Sequence, residues 1–229
     1  MPSNHVYGLS VRLIRTYARL MLKLDIRFRG PLCAGPMLFA ANHPSASDPF
    51  LIHLLSTQHL SVLVTSNAFA MPLFGYFLQH CRQIRVIPGQ GKEALQQAEQ
   101  HLNTGNPVGI FPEGLVSPKE GGYHTPRNGA ARLALKTGVP VIPVGIYLLR
   151  DRNIYISSRL SGKQTAAYWY LHGPYGMTVG EPMQFNGDPE NESLVRSVTS
   201  QLMEKIHELA EESEQRVCVL PSGRIPAIQ

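Results

Sequence analysis

The chain is poor in the residues that would make a disulfide framework or a metal centre. Its three cysteines, Cys33, Cys81 and Cys218, are an odd number with no Cys-x-x-Cys spacing. That argues against disulfide staples and a zinc site, and for a reducing compartment. No Gly-x-Ser-x-Gly segment is present, so Ser45 and Ser47 lack the elbow that presents a nucleophilic serine. No internal repeat or low-complexity stretch occurs, and 229 residues suffice for one α/β domain with a full core. Long uncharged apolar runs are missing too. Residues 60–80 are apolar but broken by Ser66-Asn67 and Pro72, which suits a buried strand and a short helix better than a membrane span. The N-terminus lacks the uncharged core and small-residue cleavage site of a signal peptide.

Acidic residues are nearly absent from the first thirty positions. Arg12, Arg15, Arg19, Lys23, Arg27 and Arg29 face only Asp25 there, a local charge of +5, while the remaining residues balance to zero. The overall +5 is therefore an N-terminal property, which disfavours whole-surface nucleic-acid binding and favours a local anionic partner. From Val6 to Leu24, Arg12, Arg15, Arg19 and Lys23 recur at 3-4-4 spacing and fall within an arc of about 80° on a helix. Leu13, Ile14, Tyr17, Leu20, Met21 and Leu24 occupy the other side. Four cations make this a poor spanning helix. The pattern fits a basic amphipathic helix lying on an anionic membrane surface, the alternative being an ordinary helix packed on the domain. Residues 1–30 are accordingly expected as a membrane-docking helical element, and 31–229 as the domain proper.

Beyond residue 36, apolar runs alternate with helical patterns. Strands are expected at 38–41, 61–65, 84–87, 108–111 and 141–146, with helices at 48–56, 72–80, 92–103 and 128–137, the last closed by Gly138. Weaker strand signals at 154–157 and 168–171 flank a polar insertion from Ser158 to Thr165, and another lies at 177–179. A final helix is expected from an Asp188-Pro189 cap to about Gln215, followed by an irregular tail from Val217. This order implies an α/β fold: a single domain with a mostly parallel central sheet flanked by helices. In such sheets, ligands collect beyond the carboxyl ends of the strands.

Two strand ends deliver polar chemistry to that edge. The run Met37–Ala41 leads into Asn42-His43-Pro44-Ser45-Ala46-Ser47-Asp48, and Val108–Phe111 leads into Pro112-Glu113-Gly114. A histidine that removes a proton needs a carboxylate to hold its ring and stabilise the imidazolium, and Asp48 is the candidate partner of His43. Taken singly, His43 also fits a loop histidine capping a turn, and Glu113 a turn residue. A two-ligand metal site at His43 and Asp48 has no third ligand with supporting spacing, so no metal is expected.

The set of motifs is more specific than its parts. Asn-His-x-Ser-x-x-Asp after one strand, Phe-Pro-Glu-Gly after another, then Val139-Pro140-Val141-Ile142-Pro143-Val144 resemble the glycerolipid acyltransferases, of which the 1-acylglycerol-3-phosphate acyltransferases are the best-known members. The resemblance covers roughly residues 36–146 and extends to the linking piece Arg127–Ala134. It implies transfer of a fatty acyl group from acyl-CoA or acyl carrier protein to a lysolipid hydroxyl, by a peripheral protein on the cytoplasmic face of the cell membrane, without a cofactor. By the same resemblance His43 is the base and Asp48 its orienting carboxylate. Ser45, Glu113 and Gly114 belong to the substrate-binding set, with Glu113 either binding the acceptor or holding its loop. The family's second block, Gly-x-x-x-x-x-Arg, falls here on Arg82 and Pro88, and its Glu-Gly-Thr-Arg-Ser becomes Glu113-Gly114-Leu115-Val116-Ser117. Both arginines expected to clamp an acceptor phosphate are missing. Arg82, Arg85 and Arg127 are the candidate replacements, and an acceptor without phosphate, such as a lyso-ornithine-type aminolipid, is the alternative. A non-catalytic acyl- or lipid-binding protein is the remaining reading.

Overall fold

The computed structural model of the chain describes residues 4–32, 34–160 and 163–219. In chain order the elements are α1 (Asn4–Met21), β1 (Leu22–Phe28), β2 (Leu38–Ala41), α2 (Asp48–Leu51), β3 (Ser61–Thr65), α3 (Pro72–His80), β4 (Ile84–Val86), α4 (Gly91–Asn103), β5 (Val108–Ile110), α5 (Gly129–Thr137), β6 (Val141–Leu148), β7 (Ile154–Leu160), β8 (Lys163–Trp169), β9 (Gly173–Val179) and α6 (Glu192–Val219). Seven strands form one sheet in the order β1-β9-β6-β2-β5-β3-β4, and β7 pairs with β8 in a separate hairpin. The stretch from β6 to β4 is parallel throughout, while β9 runs antiparallel to β6 and carries β1 parallel to itself. The expected mostly parallel α/β architecture is borne out.

The sheet is covered on both faces because its strands are apolar on both faces. Along β2, Phe39 and Ala41 enter one core cluster, and Leu38 and Ala40 enter the other. The first cluster gathers side chains of α1, α2, α3 and β9; the second takes α4, α5 and the stripe Val195, Val198, Leu202 and Ile206 of α6. Helix α6 lies close on the sheet at Gly145, where a Cβ would come within 2.0 Å of the Ala210 nitrogen. Only a residue without a side chain permits that approach.

Several boundaries differ from the sequence expectation. The N-terminal helix stops at Met21, and Leu22–Phe28 becomes a strand bonded to β9 along its whole length. Arg216 of α6 also bonds Asp25, Thr178 Oγ1 and the Met177 carbonyl, which ties this strand to the C-terminal helix. Residues 22–28 thus belong to the sheet, because their apolar positions find partners on an element about 150 residues away. The helix from Asp48 makes one α turn and continues as a 3-10 turn, Ile52–Leu55. Helix α6 starts at Glu192, since Asn191 Oδ1 accepts the N–H groups of Ser193 and Leu194, whereas Asp188 caps its own turn through the Glu190 N–H. Asn191 rather than the expected Asp188 is therefore the cap that begins the helix. Gly138 closes α5 in the left-handed conformation, at φ 64°, as expected. Cys33 and the tail beyond Val219 lie outside the described residues.

Helix α1 does not present its apolar side as a single face. Tyr7 and Ala18 are buried and Ile14 and Tyr17 pack on the first core cluster, while Leu9, Leu13 and Leu20 stay exposed beside the exposed Arg12, Arg15 and Arg19. The Tyr7 hydroxyl anchors the start of the helix by accepting the Leu60 N–H. Among the described residues no helix is long and apolar enough to cross a membrane.

Candidate active site

Strands β2 and β5 are neighbours and parallel, so the segments leaving them meet at one edge. Asn42 ends β2 by giving its whole amide to β6, donating to the Ile146 carbonyl at 2.8 Å and accepting the Ile146 N–H at 2.7 Å. The chain then turns, and His43 projects against Phe111, the ring centroids 4.3 Å apart.

The histidine and its carboxylate meet as expected. His43 Nδ1 lies 2.9 Å from Asp48 Oδ2, with the His43 side chain 13% exposed and Asp48 wholly buried. A carboxylate accepts, so Nδ1 carries the proton and the Nε2 lone pair is left for a substrate. Asp48 Oδ2 also accepts the Ser45 N–H at 2.8 Å, and Oδ1 accepts the Tyr175 hydroxyl at 2.7 Å. These donors compensate a carboxylate that has lost its water.

Glu113 arrives beside this pair but turns inward. Its Oε1 accepts the His43 backbone N–H at 3.0 Å, Oε2 accepts the His124 N–H at 2.9 Å, and the Ser117 hydroxyl lies 2.9 Å from each oxygen. The Ser117 N–H in turn donates to the His43 carbonyl at 2.7 Å. These bonds fasten the His43 turn to the 113–124 loop. Gly114 makes that loop possible at φ 68°, and a Cβ there would meet Arg127 Nε at 2.8 Å.

The remaining expected site residues separate. Arg127 comes to the edge, its side chain laid across Gly114 and its N–H on the Pro112 carbonyl. Arg85 is exposed on the outer strand β4, with its guanidinium 4.5 Å above the Phe69 ring. Arg82 precedes β4 and therefore sits at the opposite, amino edge of the sheet, near His59 and His101, whose protonation is disfavoured first by burial and further by this cation. A parallel strand carries its first residue away from the carboxyl edge, which removes Arg82 from the site. Ser45 lies inside the turn. Its buried hydroxyl donates to the Tyr168 carbonyl and accepts the Tyr170 and Ser47 N–H groups, tying the turn to the end of β8 and the residue that follows it.

Residues 150–172, which had no functional reading from sequence, close this edge. Ala46 N–H bonds the Tyr168 carbonyl, Ser47 Oγ bonds the Tyr170 carbonyl, and Asn153 Nδ2 reaches the Pro44 carbonyl. Arg150 donates to the Pro118 and Gly122 carbonyls and pins the 117–123 loop. Lys119 lies 5.9 Å above the Tyr168 ring. None of these had a motif; Ser117 was visible only as the serine of the third block. Among the described residues no group of three or more His, Cys, Asp and Glu side chains assembles to hold a metal ion.

The fold and the site define an α/β protein with a histidine–carboxylate pair at the carboxyl edge of its sheet. A family model described as Acyltransferase matches residues 23–147, more than half the chain, and the chain belongs to the acyltransferase family. Similar curated proteins include a lyso-ornithine lipid O-acyltransferase of Pseudomonas aeruginosa, 33% identical over 156 residues, which are 66% of this chain and 59% of that protein. A 1-acyl-sn-glycerol-3-phosphate acyltransferase of Borreliella burgdorferi is 23% identical over 59% of this chain and 54% of its own length. The matches thus span less than two thirds of either relative. The crystal structure of the 1-acyl-sn-glycerophosphate acyltransferase PlsC from Thermotoga maritima shares the fold, with a TM-score of 0.64 and 20% identity, covering 92% of this chain and 78% of that one.

Proposed function

We propose that this protein transfers a fatty acyl group from a thioester, on coenzyme A or acyl carrier protein, to a lysolipid hydroxyl. The observation that carries this reading is the 2.9 Å contact from His43 Nδ1 to Asp48, at the carboxyl edge of the sheet, with the histidine partly exposed. Nε2 takes the acceptor hydroxyl proton as the oxygen attacks the thioester carbonyl. Asp48 stabilises the imidazolium so formed. The tetrahedral intermediate then expels the thiolate, which recovers the proton from His43 and leaves as a thiol. The acyl group passes directly to the acceptor, so the missing serine elbow is consistent with this route. The N–H groups of Ser45, Ala46 and Ser47 are already bonded within the protein, so oxyanion donors are supplied from outside that turn.

An acceptor without phosphate is favoured by the two arginines absent from the family blocks and by the name of the Pseudomonas relative. Arg127 is the cation best placed to meet the head group, since it lies over Gly114. The exposed leucines and arginines of α1 support peripheral docking on an anionic lipid surface.

Incubating the protein with a radiolabelled acyl thioester and a panel of lysolipids tests the reading. Acylation of lyso-ornithine lipid, lost in His43→Ala while the fold is kept, is expected. Efficient acylation of lysophosphatidate would remove the altered-acceptor reading. Near-normal transfer by His43→Ala would remove His43 as the base.

A further inference from the structure

The geometry points to Tyr175 as a third member of the proton-transfer unit, a positioning residue that fixes the Asp48 carboxylate and sets the basicity of His43. This rests on His43 acting as the base. Tyr175 stands on β9, beyond residue 147 where the family match ends, and no motif marks it. Its ring is fully buried in the first core cluster, and its hydroxyl donates to Asp48 Oδ1 at 2.7 Å.

The two carboxylate oxygens have separate duties. Oδ2 takes His43 Nδ1 and the Ser45 N–H, while Oδ1 takes the Tyr175 hydroxyl. Among the described residues, no lysine or arginine pairs with Asp48. A buried carboxylate without a cation depends on such donors, and each of them also draws charge away from the oxygen that faces the histidine. Tyr175 therefore does two things. It blocks rotation of the carboxylate, because turning it would abandon the phenol in an apolar core. It also limits how strongly Asp48 holds the imidazolium, which keeps His43 able to give its proton back to the departing thiolate. Burial beside Asp48 pushes the Tyr175 phenol well above its ordinary pKa, so it remains a neutral donor.

Other titratable groups stand near this unit without touching the Asp48 carboxylate. Glu113 bonds the His43 main chain, the Tyr170 ring lies 6.1 Å from that of Tyr175 with its hydroxyl on the Pro174 carbonyl, and Lys119 lies over Tyr168. Tyr17 of α1 donates to the Leu171 carbonyl. Tyr170 is a suitable control, since its phenol is also buried but serves only the backbone.

The test is an NMR titration of the His43 imidazole, by proton–nitrogen correlation on the full chain, which requires no substrate. Removing the donor in Tyr175→Phe concentrates charge on Asp48, so the His43 pKa is expected to rise by about half a unit to one unit. The acidic limb of the acyl-transfer pH profile should rise with it. Tyr170→Phe should leave the titration in place. Site-specific 3-fluorotyrosine at position 175 makes a stronger donor in an unchanged shape and should lower the His43 pKa, which keeps the proposal testable if Tyr175→Phe does not fold. An unmoved or lowered His43 pKa in Tyr175→Phe, or an unmoved one with the fluorinated side chain, would overturn it. His43→Ala retaining acyl transfer would instead overturn the assignment of the base, so the two failures are distinct.

Discussion

Replacing Glu113 by alanine separates its two candidate roles, because a loop anchor and an acceptor-binding group fail differently. The carboxylate is almost fully buried and receives the His43 N–H, the His124 N–H and the Ser117 hydroxyl. In Glu113→Ala all three donors lose their partner. A buried donor left unpaired costs about 1–3 kcal/mol, and the low end applies here because both backbone groups are only partly buried. Three such losses sum to about 3 kcal/mol. For a domain of this size each kcal/mol shifts the melting temperature by about 2–4 °C, so a drop of about 6–12 °C is expected. Glu113→Gln keeps the shape and one acceptor oxygen but turns its NH2 group toward a donor, and should lose roughly half as much. The turn carrying His43 then loses its main-chain anchor, so kcat for acyl transfer should fall while KM for the acceptor changes little. Differential scanning calorimetry with steady-state kinetics on a lysolipid reads both quantities. A melting temperature within about 2 °C of the parent, with a raised acceptor KM as the main defect, would refute the anchoring role.

Two other outcomes follow from where cations sit. Arg127→Ala should raise KM for the acceptor with a smaller effect on kcat, because its guanidinium lies over Gly114 at the site edge; Arg82→Ala, at the opposite edge, should alter neither. Equal effects of the two in steady-state assays would show that neither was placed correctly relative to the acceptor. Neutralising Arg12, Arg15, Arg19 and Lys23 should weaken sedimentation with vesicles containing anionic lipid, and added salt should weaken the parent's binding in the same way. Undiminished sedimentation of the neutralised protein would leave the electrostatic part of docking without support.

Much of the framework was legible because the determining signals are local. Alternating apolar runs and helix caps located β2, β3, β5, β6, α3, α4 and α5 within a residue or two, and Gly138 marked the end of α5. The parallel order then assigns His43 and Glu113, each following its strand, to a common edge. The weaker pattern after residue 150 marked only part of each hairpin strand, since β7 runs on to Leu160 and β8 starts at Lys163 where a polar insertion was expected. It gave no sign of their place against the His43 turn. Strand β1 read as a continuation of the helix, because Leu22, Leu24 and Ile26 suit either period and only pairing with β9 selects the extended form.

The chemistry of the pair was carried by five residues of separation, short enough for the sequence itself to determine. What surrounds the pair was decided by tertiary structure. Tyr175 reaches Asp48 across a separation of 127 residues, Ser45 meets Tyr170 across 125, and Glu113 meets the His43 N–H across 70. Such partners are chosen by which strands become neighbours and which faces turn toward each other, and no local pattern records that choice. The same reason divides the arginines. Arg82 and Arg127 are equally plausible as residue types, but one precedes an edge strand and the other packs on the loop that follows β5, so the fold alone assigns them to opposite ends of the sheet.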